Sequence, residues 1–248
     1  MKIISLNAWG GMVGAEELIE FFKKHQDVDV FCLQEIFNGG ENDPAEVAER
    51  IALKVYDLLS RIKNALPQHE SYFRPQLKEH YGLAMFVKKD IQVLEEGEKF
   101  VHKEKGYNPG NTLGRHARSI QYIKTRHNDS DLHIINFHGL WNGMGKTDTE
   151  DRIVQSKNIA TFIQSLKNEV VFCGDFNLRP DTQSLKIIED TGLINLIQKY
   201  GILSTRTSHY TKDEKFADYA FVTQGIEVKD FKVLPDEVSD HAPLFMVI

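Results

Sequence analysis

Short apolar runs that stop on a residue able to hold a metal ion or a phosphate recur along this chain, and no other feature constrains its fold as much. Runs rich in Val, Ile and Phe at 2–6, 28–33, 82–87, 119–123, 132–137, 170–173, 219–222 and 244–248 read as strands. Asn7 ends the first, Glu35 the second, His138 the fifth and Asp175 the sixth, and His241 precedes the last. Residues far apart in sequence meet at one edge of a core when rigid strands carry them there. Amphipathic stretches at 15–25, 44–65, 149–166 and 184–189 read as helices. Asp43 before Pro44 is a start signal for the second of these, and Asp148 or Thr147 a cap for the third. Strands outnumber helices and 82–135 reads as an antiparallel meander, so α and β elements mix around a largely antiparallel sheet system.

The 248 residues suit one domain spanning 1–248, large enough to bury a core without disulfides. Cys32 and Cys173 both sit in apolar runs and read as small core residues of a reducing compartment. No stretch approaches the roughly 20 apolar residues that span a bilayer, and MKIISLNAWGG enters a strand pattern without the apolar core of a secretory signal. The expectation is a cytoplasmic protein with no membrane segment and no evident obligate protein partner. The net charge of −6 argues against a protein that wraps long DNA. It is unevenly spread: over 99–127 seven Lys and Arg side chains oppose Glu104 alone. Such a basic segment can hold an anion, or can be an ordinary solvated strand edge.

Individual residues carry chemistry of one kind. In Cys173-Gly174-Asp175-Phe176-Asn177 an extended backbone points Asp175 and Asn177 the same way and Phe176 into the core; the competing reading is a turn. A carboxylate orients or deprotonates water, and an amide N–H donates to a phosphoryl oxygen as its charge grows. In Ser239-Asp240-His241-Ala242-Pro243, His241 suits proton transfer, with Asp218 a candidate to fix its tautomer and Asp240 a candidate metal ligand. Glu35 closes a buried run, where a hard cation would compensate its charge, and Asn7 could add a carbonyl oxygen. His138 could donate to a phosphate oxygen. Arg152 and Gln155, three apart, share one helix face. Gly10, Gly11 and Gly14 match no phosphate-binding loop and shape a strand-to-helix turn.

Taken in order, LNAWG, LQEI, NFHG, GDFNL, FADYAFV and SDHAPL resemble the endonuclease/exonuclease/phosphatase (deoxyribonuclease I-like) superfamily over nearly the whole chain, with GDFN and SDH the most specific. The resemblance implies an α/β fold, a four-layer α/β sandwich of two packed mixed β-sheets flanked by helices. It implies a Mg²⁺-dependent hydrolase of phosphoester bonds, with Mn²⁺ as a substitute ion. In its terms Glu35 is the principal metal ligand, with Asn7 beside it and Asp240 joining the shell. Asp218 orients His241, Asp175 positions the attacking water, and Asn177 and His138 stabilise the phosphoryl oxygens. The proton goes to His241 or to Asp175. Arg115, Arg118 and Arg152 are candidates for further phosphate contacts, and Glu79 for the carboxylate behind His138. The substrate is phosphorylated, with nucleic acid among the candidates, and a phosphodiesterase or nuclease is the first expectation. A phosphomonoesterase or lipid/inositol-phosphate hydrolase is the alternative, and a non-catalytic phosphate-binding module a distant one.

Overall fold

A computed structural model of the chain describes residues 1–39, 55–109, 114–128 and 130–248. Twelve described strands form two six-stranded sheets. The first runs β11(Asp230–Val233), β12(Leu244–Val247), β1(Lys2–Asn7), β2(Val30–Phe37), β4(Tyr81–Lys88), β3(His69–Leu77). The second runs β5(Val93–His102), β6(Arg118–His127), β7(Ser130–His138), β8(Glu169–Asp175), β10(Asp218–Val222), β9(Ile194–Asn195). Both are mixed. Each has one parallel pair at its centre, β1 with β2 and β7 with β8, while the other pairings are antiparallel.

Alternation along the strands builds the layers. Ile3, Val30, Cys32, Met85 and Val87 pack into the core shared with the second sheet. Their neighbours Ile4, Phe31, Leu33, Ala84 and Phe86 pack with Phe22 of α1(Ala15–Lys24) and Leu58 and Ile62 of α2(Leu58–Ala65). On the other side, α3(Glu150–Ser165) and α4(Gln183–Glu189) contribute Ile159, Ile163, Leu185 and Ile188 to the core of the second sheet. Helices therefore cover the outer faces of two packed sheets. This is the α/β sandwich of the deoxyribonuclease I type.

Amides cross the sheet-to-sheet interface and fix how the sheets sit. Gln34 Nε2 donates to Asn136 Oδ1 (2.7 Å), whose own Nδ2 donates to the Leu33 carbonyl (2.9 Å). Nearer the outer strands, Gln121 Nε2 donates to the Tyr72 carbonyl (2.8 Å) and Gln76 Nε2 to that of Ser119 (3.0 Å). Each of these amide donors finds an acceptor across the gap.

The eight expected strands are present, and β3, β5, β9 and β11 are additions. Asp43 and Pro44 lie outside the described residues, and the described part of that expected helix is Leu58–Ala65. The cap of α3 is Thr149, which accepts from Arg152 N (3.4 Å). Thr182 caps α4, and Asp148 also accepts from Gln183 N and Ser184 N (2.8 Å each), so one loop carboxylate ties the loop before α3 to the start of α4. Cys32 and Cys173 are free and buried. No helix among the described residues is long and apolar enough to cross a membrane.

Candidate active site

The two central parallel pairs deliver their carboxyl ends to the same place. Asn7 ends β1, Glu35 leaves β2, His138 ends β7 and Asp175 ends β8. His138 and Asp175 are register partners, and that approach needs Gly174, whose φ is +147°: a Cβ there would lie 2.0 Å from the Phe137 carbonyl oxygen. Glu35 does not end its strand. Between Leu33 and Ile36 β2 carries one residue more than β4, and Glu35 sits in this bulge at φ +58°. Bulges re-aim a side chain without ending the pairing, which is how a carboxylate leaves an otherwise buried strand.

Asp175 Oδ2 is the hub. It accepts from Asn7 Nδ2 (2.9 Å), lies 3.4 Å from Asn177 Nδ2, and is 3.7 Å from His138 Nε2 and 3.6 Å from His241 Nε2. Asn177 reaches it by a turn as well as by alternation. Its backbone N donates to Asp175 Oδ1 (2.9 Å) and its φ is +55°, while Phe176 does enter the core, between Phe137 and Tyr219. Asn7 presents its nitrogen to the carboxylates, donating also to Glu35 Oε1 (3.1 Å), because its oxygen accepts from the Trp9 N–H (2.9 Å). The expected carbonyl ligand is thus an amide donor bridging two carboxylates.

Asp218 grips His241 as expected: both carboxylate oxygens approach Nδ1, at 2.8 and 2.9 Å. Thr205 Oγ1 donates to Asp218 Oδ2 (3.0 Å) and holds the carboxylate in turn. Burial and Arg206 push the His241 pKa down, but Asp218, Asp240 and Asp175 together hold it above its ordinary value. The buried His138 behaves oppositely. Burial, then Arg118, drives it well below its ordinary value, so it stays neutral. Burial also opposes ionisation of Asp175, yet His241, Lys146 and Arg206 keep it below the usual carboxylate range.

Three expectations change. Arg118 and Arg152 are 1% and 0% exposed. Arg118 donates to the Gly114 carbonyl (3.1 Å), and Arg152 to those of Leu140 (3.1 Å) and Thr147 (2.6 Å). With Gln155 accepting from Leu140 N (3.1 Å), the Arg152 face clamps the loop after His138. Both guanidiniums are turned onto backbone carbonyls. Arg115 is exposed, donates to the Asn142 carbonyl (3.3 Å), and lines a separate pocket with His102, Tyr107 and Leu140. Much of the basic segment is also paired: Lys103 with Asp151, Lys105 with Glu98, and Lys124 and Arg126 with Asp131. Asp240 accepts from Arg206 Nη1 (3.3 Å) and lies 3.7 Å from His241 Nε2, outside the groups that could share an ion. Glu79 is exposed in the β3–β4 turn, and among the described residues His138 Nδ1 has no hydrogen-bond partner.

Two cations that the sequence did not single out join the site. Lys146 Nζ donates to Asn177 Oδ1 (2.9 Å), and Arg206 pairs with Asp240 while stacking 3.9 Å from the Tyr210 ring centroid. A Lys five positions after Trp141 in a Gly-containing loop is a weak signal by itself. Arg206 is tied in by its bridge to His241, a contact no sequence spacing reveals.

Glu35, His138 and Asp175 could hold a metal ion, as could Asp175, Asp218 and His241; in each group the ligand atoms lie within 4.8 Å of one another. The first group fits a hard divalent cation better. Its two carboxylates are bridged by the neutral Asn7 amide, whereas His241 and Asp218 already satisfy each other.

Comparison with known proteins agrees with this fold. The profile of the Endonuclease/Exonuclease/phosphatase family matches residues 4–241. No curated protein matches. Among solved structures, the Bacteroides thetaiotaomicron VPI-5482 mannosyl-6-phosphatase Bt3783 is similar with a TM-score of 0.77 at 17% identity, over 100% of this chain and 98% of that one. An endonuclease/exonuclease/phosphatase family protein from Leptotrichia buccalis C-1013-b gives 0.74 at 20% identity, over 100% and 99%. D. rerio TDP2, complexed with single strand DNA product, gives 0.68 at 15%, over 99% and 97%. At these identities the structures share the fold, while the profile spans both carboxylate-bearing strand pairs through to His241. On that match the chain belongs to the endonuclease/exonuclease/phosphatase family.

Proposed function

We propose that this chain is a divalent-metal-dependent phosphoester hydrolase, a single catalytic domain over residues 1–248 that uses Mg²⁺ or Mn²⁺. The observation that carries the reading is the convergence on Asp175 Oδ2 of Asn7 (2.9 Å), His241 (3.6 Å) and His138 (3.7 Å) from three strand ends and a distant loop. Glu35 would be the principal metal ligand, with Asp175 contributing the nearest second carboxylate. When bound, the ion would supply Lewis-acid polarisation of the phosphoryl group. Asn7, donating to both carboxylates, would hold them in place.

The remaining steps belong to the chain. A water between Asp175 and His241 is oriented by the carboxylate and loses its proton to His241 Nε2, and Asp218 stabilises the resulting imidazolium. His138, neutral and with Nε2 facing the anionic hub, donates to a phosphoryl oxygen, and so does Asn177. Asp240 would steady Arg206 and His241 instead of binding the ion.

A phosphodiester, on nucleic acid or on a small molecule, is the first substrate class. A phosphomonoester is the second reading, supported by the likeness to a mannosyl-6-phosphatase. Both classes of ester are compatible with a cytoplasmic enzyme. The test is hydrolysis of bis-p-nitrophenyl phosphate and p-nitrophenyl phosphate with Mg²⁺, with Mn²⁺ and with EDTA. Turnover of the diester alone that EDTA abolishes supports the first reading, and turnover of the monoester alone moves the assignment to the second. No turnover of either, with no metal bound, removes the hydrolase reading and leaves a phosphate-binding module.

A further inference from the structure

Lys146 is 4% exposed, a rare state for an ammonium without a close anion. It lies in the loop after His138 between Gly145 and Thr147, and the loop is anchored at this point: the Lys146 carbonyl accepts from Arg179 N (2.9 Å). The side chain passes the Trp141 indole, Nζ 5.5 Å from the ring centroid, and ends on Asn177 Oδ1 at 2.9 Å. Asp175, Asp218 and Asp240 are close enough to act on its charge, but none forms an ion pair with it among the described residues. An ammonium has three N–H donors. One is engaged by Asn177, which leaves two beside the hub carboxylate.

Orienting Asn177 does not require a charge. A hydroxyl would hold the amide at a far lower desolvation cost. What an ammonium adds is a place for an anion. Through its hold on Oδ1, Lys146 turns Asn177 Nδ2 the other way, toward Asp175 Oδ2 and the Gly139 carbonyl (3.3 Å). The lysine and the amide are thus linked to each other beside the hub carboxylate.

We propose that Lys146 binds the substrate directly, its ammonium donating to a non-bridging oxygen of the phosphoryl group. This deepens the hydrolase reading and rests on it for turnover, although anion binding stands without it. The ligand chemistry is a tetrahedral phosphate oxyanion, supplied by a monoester or a diester. In this role Lys146 takes the place expected of Arg115, Arg118 and Arg152.

The test uses inorganic phosphate as probe, titrated by calorimetry into the Mn²⁺-loaded protein. K146M is expected to weaken phosphate binding about 10- to 100-fold, while K146R stays within about 10-fold of wild type. With either p-nitrophenyl ester, K146M is expected to raise KM as well as lower kcat. A lysine that only orients Asn177 would lower kcat and leave phosphate affinity alone, so K146M binding within about twofold of wild type overturns the proposal. Should K146M fail to fold, the Lys146 Nζ resonance of ¹⁵N-lysine-labelled wild type, assigned with K146R, is followed on phosphate addition. A shift supports the contact, and an unmoved resonance at saturation contradicts it. Phosphate binding that depends on Lys146, with no turnover of any ester, keeps the anion site and removes the hydrolase reading. Turnover that K146M leaves intact does the reverse.

Discussion

His138 and His241 are equally buried, 3% and 5% exposed, and both place Nε2 within 3.7 Å of the same carboxylate oxygen, yet their surroundings drive them in opposite directions. Asp218 grips His241 through Nδ1, and two further carboxylates add to its effect. His138 has no partner on Nδ1 among the described residues and lies near the buried Arg118. Two titratable groups pushed apart by their environments mark a division of labour. In the proposed reaction the imidazole that can hold a proton would take one from water, and the imidazole that cannot would stay a neutral donor.

Substitutions should separate the two roles. His241→Ala and Asp175→Asn are expected to lower kcat by about 10³- to 10⁴-fold at saturating Mg²⁺ with the thermal midpoint little changed. Near-normal turnover in either variant removes that residue from the reaction. Asp218→Asn is expected to cost about 100-fold and to lower the His241 pKa in an NMR titration; a pKa left in place would break the link between the two side chains. His138→Gln, which keeps a donor and removes the ring, should cost about 10-fold and leave the acid limb of the pH–rate profile where it was. A displaced limb would show that His138, not His241, carries the titrating proton.

Smaller effects sharpen the contrast. Burial holds Lys146 at about 8, so kcat/KM is expected to fall as pH rises through that value, well before an ordinary lysine would titrate. Stability moves the other way, since above about 8 the unfolded chain binds the extra proton, and folding therefore strengthens up to the ordinary lysine value. In the metal-free protein the two imidazoles oppose each other by the same rule. His241, raised on folding, stabilises below its unfolded value and loses that contribution as pH rises through its folded one. His138, lowered on folding, penalises the fold as pH falls below its unfolded value. Melting curves across this range are expected to flatten on the acid side for His138→Gln and on the neutral side for His241→Gln. The same slope in both variants would contradict the assignment.

What the sequence shows of this fold follows burial. The eight strands legible as apolar runs are the interior strands of the two sheets. The four that were not, β3, β5, β9 and β11, are the four edges. Edge strands bury less and carry charge or proline, as Pro75 in β3 and Glu95, Glu96 and Glu98 in β5 do, so their composition reads as loop. The site shows the same divide. Asn7, Glu35, His138, Asp175 and His241 were legible because each adjoins an interior strand. Lys146, Thr205 and Arg206 were not, because they sit on loops whose path depends on tertiary contacts. Arg118 and Arg152 drew attention by charge alone, and only the packing shows their guanidiniums turned onto backbone carbonyls.

Everything proposed for catalysis depends on Glu35 and Asp175 gathering one divalent ion at the carboxyl ends of the two parallel strand pairs. Anomalous diffraction from a crystal soaked in Mn²⁺ tests this most directly. An ion is expected at coordination distance, about 2.0–2.2 Å, from a Glu35 carboxylate oxygen, and it should vanish in Glu35→Gln. Strong anomalous density elsewhere with none at Glu35, or density that survives the substitution, would contradict it.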